Sequence, residues 1–220
     1  MKKIFIYLLI VSPLIFMACD AEETGGVNLV TNYAVLETLG DPIIFVEKGS
    51  AYTEPGVSAT ISGEAVEFET IGSVDAGTPG IYDLQYLVVN SDGFPATSNR
   101  IVYVYENDGS VAGVYDGLRV GRAGGPILVT TTGTAGTYSI SDILGGHYEF
   151  ERGFGRGAGA APSTITVTGS SITSPGGNNT FGLWLMSSGS LSGDEKTMTW
   201  TSTIPAFAFG YDVELTKVTP

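Results

Sequence analysis

The chain has 220 residues, 10 basic and 23 acidic side chains, a formal charge of −13, one histidine and one cysteine. So acidic a surface repels phosphate backbones, and no basic stripe with interleaved aromatics runs along the chain, which excludes nucleic acid as a partner. A lone cysteine allows no disulfide or redox pair, and with a single histidine it leaves too few ligands for zinc, so neither metal nor cofactor is expected.

In chain order, Lys2 and Lys3 precede an apolar run from Ile4 to Leu9 and beyond, ending in Phe16-Met17-Ala18-Cys19. A basic start, a short apolar core and a small residue before the cut mark a cleaved signal peptide over residues 1–18. The run is too short for a bilayer core of roughly 30 Å at 1.5 Å per residue. Ala18-Cys19 resembles the lipobox of bacterial lipoproteins. That resemblance implies that Cys19 is acylated, begins the mature chain and binds the membrane through its lipid. Loss of Lys2 and Lys3 leaves 8 basic and 23 acidic residues, a mature charge of −15. Residues 19–26 form an acidic linker, Asp20-Ala21-Glu22-Glu23-Thr24-Gly25-Gly26 behind the cysteine. Such a cluster resembles the export signal of Bacteroidota lipoproteins, which implies an outer-membrane anchor facing the cell exterior.

The rest reads as all-β: short runs of Val, Ile, Thr, Tyr and Phe between Gly, Pro, Asn, Asp and Ser. The first module, residues 27–106, has expected strands at Tyr33–Leu39, Ile43–Val46, Val57–Ile61, Val66–Ile71, Ile81–Asn90 and Arg100–Tyr105. The run from Ile81 to Val89 alternates only partly, as a strand covered on both faces does. Strand count and turn spacing fit an immunoglobulin-like sandwich. Two turn motifs stand in order, Tyr52-Thr53-Glu54-Pro55-Gly56 and Thr78-Pro79-Gly80. In each, Pro presets φ and Gly is free to take positive φ. These motifs resemble the bacterial immunoglobulin-like domain shared by insecticidal crystal toxins and Bacteroidota surface lipoproteins. The resemblance implies a fold and a spacer or adhesion-like role, with no catalytic residues.

The polar segment Glu106-Asn107-Asp108-Gly109-Ser110 is the expected boundary. Turn formation accounts for Asp92, Asn107 and Asp108 better than a calcium site, since no spaced ligand loop is present.

The second module, residues 111–220, has expected strands at Gly113–Arg119, Ile127–Thr132, Thr137–Ser141, His147–Arg152, Thr164–Thr168, Phe181–Met186, Thr197–Thr203 and Ala208–Val218. Met198, Trp200, Ser202 and Ile204 share one face; Phe209, Tyr211, Val213 and Leu215 share another. Sequential antiparallel strands predict a small barrel or a flattened sandwich, its interior filled by side chains. The pattern Gly136-Thr137-Tyr138-Ser139-Ile140-Ser141-Asp142 with Gly145-Gly146-His147-Tyr148 is similar to Bacteroidota lipoproteins encoded beside starch-utilisation-type transporters. That similarity implies glycan handling and an outer-membrane transporter as partner.

Catalysis has little support. His147 would have to serve any triad, and no Gly-x-Ser-x-Gly elbow is present. Among the acids, Asp142, Glu149 and Glu151 lie near one another, but strand surface positions explain them as well as a hydrolase pair does. The segment Gly145–Pro162 concentrates glycines, aromatics, the histidine and two arginines. His147, Tyr148, Arg152, Phe154 and Arg156 are the candidate sugar-binding residues, since rings stack on C–H faces while polar groups bind hydroxyls. The alternative is a mobile loop with Tyr148 and Phe150 in the core and the arginines paired to acids. Trp184 is the sixth candidate: with Phe181, Leu183 and Leu185 inward, it faces outward as a stacking platform or an interdomain contact. The expected function is non-catalytic glycan capture or presentation at the cell surface, with a structural or adhesive spacer as the alternative and a glycan hydrolase as a third reading.

Overall fold

The computed structural model describes residues 30–218. The expected signal peptide, Cys19 and the acidic linker lie outside them.

Seven strands build the first module: β1 (Ala34–Thr38), β2 (Ile43–Glu47), β3 (Val57–Ile61), β4 (Glu64–Ala65), β5 (Glu69–Ile71), β6 (Gly80–Val89) and β7 (Pro95–Tyr105). They form two sheets, β1-β3-β4 and β2-β7-β6-β5, with β2 running parallel to β7. Val46, Val57, Ala59, Leu84, Tyr86, Val88, Val102 and Val104 fill the space between them. The expected strand at Val66–Ile71 is cut down to β5, preceded by the two-residue β4.

Arg100 on β7 is fully buried and fastens the loops that link the sheets. Its Nη2 donates to the carbonyls of Leu39 (2.8 Å) and Gly56 (3.2 Å), its Nη1 to that of Asp41, and its Nε lies 2.9 Å from Glu54 Oε1. Glu54 also accepts from Tyr52, Tyr86 and the Gly56 N–H. The Pro-Gly turn thus carries the counter-ion of a buried cation.

The second module contains β8 (Gly113–Arg119), β9 (Gly124–Thr131), β10 (Thr137–Ile140), β11 (Ser163–Thr168), β12 (Ser171–Thr173), β13 (Gly177–Asn179), β14 (Gly182–Leu191), β15 (Thr197–Ile204) and β16 (Phe209–Val218). Eight of these close an antiparallel barrel in the order β8-β9-β10-β11-β12-β14-β15-β16, while β13 adds beside β14. Of the two architectures expected, the barrel is the one formed. At the seam, Ile172 of β12 faces Gly189 of β14, where an added Cβ would lie 2.2 Å from the Ile172 carbonyl. Only glycine permits that approach. Tyr115, Ile127, Val129, Ile165, Met198, Trp200 and Leu215 fill the interior.

Between β10 and β11 the chain leaves the wall and plugs one end. Ile143 and Leu144 are fully buried, and the Ile143 carbonyl accepts from Trp200 Nε1 (2.8 Å) and Ser202 Oγ (2.7 Å). Asp142 accepts the backbone N–H groups of Leu144, Gly146 and Ala161 at 2.8–2.9 Å, stapling both ends of the plug. The expected strand His147–Arg152 is instead a π-helical turn, His147–Glu151, followed by one α-helical turn, Arg156–Gly159. Its alternation of large and polar residues reads as a strand, but Gly145 and Gly146 take φ of 68° and 73° and turn the chain across the barrel end. There Phe150 lies on Gly125, whose Cβ would stand 2.2 Å from the ring.

The two modules share a third apolar cluster. Tyr103, Tyr105, Val114 and Leu128 are buried together, with Ile43, Phe45, Ile81, Ile101 and Val218 packed around them. The connecting segment is fixed as well: Glu106 accepts from Thr131 N and Oγ1 at 2.8 Å each, and Lys217 Nζ donates to the Ser110 carbonyl. Asp92 sits in the β6–β7 turn and Asn107 and Asp108 follow the other end of β7, so the three acids and amides do not converge.

Candidate functional site

Beside the plug, rings from four segments meet. Tyr148 of the π-helical turn lies 5.2 Å from Phe181, 5.7 Å from Trp184 and 6.2 Å from Phe154, centroid to centroid. Phe154 meets Phe181 edge-on at 5.3 Å. From β16, two rings approach Trp184, Tyr211 at 5.7 Å and Phe209 at 6.3 Å. The β15–β16 connection, a 3-10 turn over Pro205–Phe207, ends in left-handed Ala208 (φ 48°) and leaves Phe207 66 % exposed at the rim. Tyr148, Phe181, Trp184, Ile204, Phe207 and Phe209 enclose a cavity of about 220 Å³.

Asn179 positions this wall. Its Oδ1 accepts from Trp184 Nε1 (3.0 Å) and Phe181 N (2.9 Å), while its Nδ2 donates to the Gly159 carbonyl at the end of the plug. A single amide thus ties the plug to the barrel and fixes both rings.

Trp184 corrects the expectation of an outward platform: it is 1 % exposed, and Leu183 and Leu185 are the exposed neighbours at 46 % and 38 %. Period-2 alternation identifies which residues share a face but not which face is inside. In the structure the register Gly177↔Trp184 and the bond to Asn179 turn the indole inward. Its contribution is one edge of the cavity wall.

The polar candidates divide. His147 is 4 % exposed behind Tyr148, its Nδ1 2.5 Å from Glu151 Oε2 and its Nε2 3.4 Å from Arg119 Nη1. A guanidinium only donates, so this geometry assigns the imidazole proton to Nδ1 and leaves both nitrogens engaged. Arg119 lies over Tyr211 and Phe209, 4.7 and 5.4 Å from the ring centroids. This cation-π contact places positive charge at the cavity edge. Arg156 points away and pairs with Asp83 of β6 in the first module. Arg152 is exposed and does not line the cavity. Of the six candidates, the structure gathers Tyr148, Phe154 and Trp184 in the aromatic group and leaves Arg152 and Arg156 outside it. The sequence reading missed Arg119, Phe181, Phe207 and Phe209 as site residues; two phenylalanines, Phe207 and Phe209, closely following Pro205 in a short turn were the available signal.

Two carboxyls within the plug are displaced from their ordinary range. Burial pushes Asp142 up to about 6 against the pull of its three N–H donors. Burial likewise pushes Glu149 up to about 7, with the Arg156 charge opposing. Neither lines the aromatic cavity. Among the described residues no group of three or more His, Cys, Asp or Glu is placed to hold a metal ion.

A family model described as a bacterial surface protein Ig-like domain matches residues 36–104, and one described as a C-terminal domain matches residues 104–217. The crystal structure of the lipoprotein BT2262 from Bacteroides thetaiotaomicron is similar at a TM-score of 0.69 and 30 % identity, over 84 % of this chain and 100 % of that one. The chain belongs to this family of two-module bacterial surface lipoproteins. No curated protein matches it. Neither module of this lipoprotein belongs to an enzyme family.

Proposed function

We propose that this lipoprotein is a non-catalytic binding module, anchored at Cys19 on the outward face of the outer membrane, whose aromatic barrel mouth captures the end of a glycan. The observation that carries this reading is the concavity bounded by Tyr148, Phe181, Trp184, Phe207 and Phe209. Ligand pockets for drug-sized molecules run from about 300 to 1,000 Å³, so the cavity here suits one ring-sized group. Ring faces at its rim stack on the C–H face of a pyranose, and Arg119 at the edge supplies donors for hydroxyl or carboxylate oxygens. The buried, doubly engaged His147 offers no free base beside the cavity, which favours binding over hydrolysis. An outer-membrane transporter is the partner to which captured glycan would be handed.

Calorimetry of the chain begun after Cys19 against a polysaccharide panel tests this directly. A glycan that binds the parent chain should lose at least tenfold in affinity to the double substitution Phe207→Ala and Phe209→Ala. Both residues are exposed, so the fold should survive. Absence of heat with every glycan, or equal affinity in the variant, sinks the glycan reading. Digestion of intact cells with protease should remove both modules; protection would place them inside.

A spacer role is favoured by one different observation. The chain enters the first module beside the β6–β7 turn, where Asn90 Nδ2 donates to the Asn32 carbonyl, and the barrel is attached at the other end of β7. The eleven residues of β7 span roughly 35 Å at about 3.3 Å each, a standoff between the anchor and the binding mouth.

A further inference from the structure

At the entry end of the first module, four apolar side chains face solvent. Val30 is 82 % exposed, Tyr33 58 %, Val89 54 % and Phe94 45 %. Tyr33 and Phe94 already lie against each other at 5.6 Å. The turn that presents them is fixed: Asn90 is buried, its Oδ1 accepts from Asp92 N (3.1 Å) and Phe94 N (2.8 Å), and its Nδ2 holds the incoming strand through the Asn32 carbonyl. Burying these groups would stabilise a contact, whereas their exposure contributes nothing to the sandwich core.

We infer that this tip docks on the bilayer that carries the chain's own anchor, with Tyr33 and Phe94 seated at the headgroup boundary. The inference rests on acylation of Cys19. That cysteine is eleven positions before Val30, so even a fully extended chain holds the tip within roughly 40 Å of the lipid. Tethering turns docking into an intramolecular step, for which a small apolar tip suffices. Aromatic side chains favour the membrane–water boundary because one edge is apolar and the other wet. The turn Asn90-Ser91-Asp92-Gly93 has no Lys or Arg and one acid, and the adjoining β3–β4 hairpin adds Glu64. A zwitterionic surface is therefore the fitting partner, and the contact should not depend on salt. Docking would orient β7 away from the membrane and point the barrel outward.

Because the lipid occupies Cys19, an introduced cysteine is the single free thiol of the mature chain. Full-length S91C and, as control, T134C on the barrel's β9–β10 turn would be labelled with an environment-sensitive NBD fluorophore and reconstituted in phosphatidylcholine vesicles. The label at 91 should brighten several-fold, shift to the blue and be quenched by doxyl-lipid, at low and high salt alike. The label at 134 should keep its aqueous spectrum. Adding Tyr33→Ser and Phe94→Ser should return the label at 91 to that spectrum. An aqueous spectrum at 91 in a vesicle-bound, singly labelled chain overturns the docking, as does a shift that survives the double substitution. Two labels per chain, with no co-sedimentation, would instead show that Cys19 is free and the anchor reading wrong.

Discussion

Arg100 is a cation with no exposure, joining two loops through backbone carbonyls and one carboxylate. Burial alone would raise the Glu54 carboxyl, but hydrogen bonds from Tyr52, Tyr86 and Gly56 N–H, with the Arg100 charge, hold it below the ordinary range. A depressed folded-state value means that the contribution is present above the unfolded value and is lost as pH falls through the folded one. Removing one partner of a buried pair costs about 3–5 kcal/mol because the other charge remains. Glu54→Gln should therefore lose stability of that order in urea unfolding near neutral pH. The gap to the parent should begin to narrow as pH falls below the ordinary glutamate value of about 4.3 and close as the parent's own depressed carboxyl protonates at lower pH. A gap that is small or independent of pH would show that the carboxylate is not the counter-ion that matters. The sequence shows Glu54-Pro55-Gly56 as a turn and nothing more. Its partner is 46 positions away, and an arginine at the start of a strand looks like any solvated one. Trp184 has the same difficulty at shorter range: alternation fixes its face relative to Leu183, whereas the sign of that face depends on Asn179.

At the scale of the element, the plug between β10 and β11 decides both barrel closure and the shape of the cavity. It was legible as a glycine-rich segment of concentrated chemistry, but its alternating residues suggested another strand. Two consecutive left-handed glycines and a descending loop of Ile143 and Leu144 override that local preference, because the open barrel end offers more burial than another edge would. Its carboxyls give the element an unusual pH response. Both Asp142 and Glu149 bind protons more tightly folded than unfolded. Their stabilising effect is full below the unfolded values near pH 4 and is lost as pH rises through about 6 and about 7. For fully buried Asp142, the rise to about 6 corresponds to about 3 kcal/mol. Stability should thus rise as pH is lowered from 8 through 5, and fall only below the ordinary carboxylate values near 4, where the Glu54 contribution is lost, which puts the maximum between about pH 4 and 5. Asp142→Asn tests the cause: Leu144 and Ala161 N–H groups keep an acceptor oxygen, but the Gly146 N–H meets an amide donor. The variant should lose most stability at pH 5 and least at pH 8. A flat parent profile between pH 5 and 8 would assign the plug no role in it.

At the scale of the molecule, the interface between modules explains a feature visible in the strands themselves. The run from Ile81 to Val89 alternates incompletely, and β7 is buried on consecutive residues from Val102 to Tyr105. Val102 and Val104 face the sandwich core, whereas Tyr103 and Tyr105 join Val114 and Leu128 of the barrel. Double-sided burial was thus legible, but what covered the second face was not, because apolar strand residues carry no label for their partner. The ring of Tyr103 is wholly buried, packs at a tilt against Phe45 at 5.4 Å and donates its hydroxyl to the Pro126 carbonyl. Arg156 adds a contact from the plug to Asp83, so the interface has an apolar centre and a charged edge. Linkers between independent domains usually lie free of contacts. Here Glu106 and Ser110 are both bonded to the barrel, so the connector transmits unfolding of one module to the other. Calorimetry of the chain begun after Cys19 should therefore show one transition, with calorimetric and van't Hoff enthalpies in agreement. Tyr103→Ala deletes the shared centre and, as a large-to-small change at a buried ring, should cost about 3–5 kcal/mol. Because that loss falls on the interface, it should separate the trace into two peaks instead of moving one peak down. Asp83→Asn, at an exposed charged edge, should leave the single transition intact. Two peaks in the parent chain would mean that the shared cluster is too weak to couple the modules, and the standoff between anchor and barrel would then bend at residues 106–110.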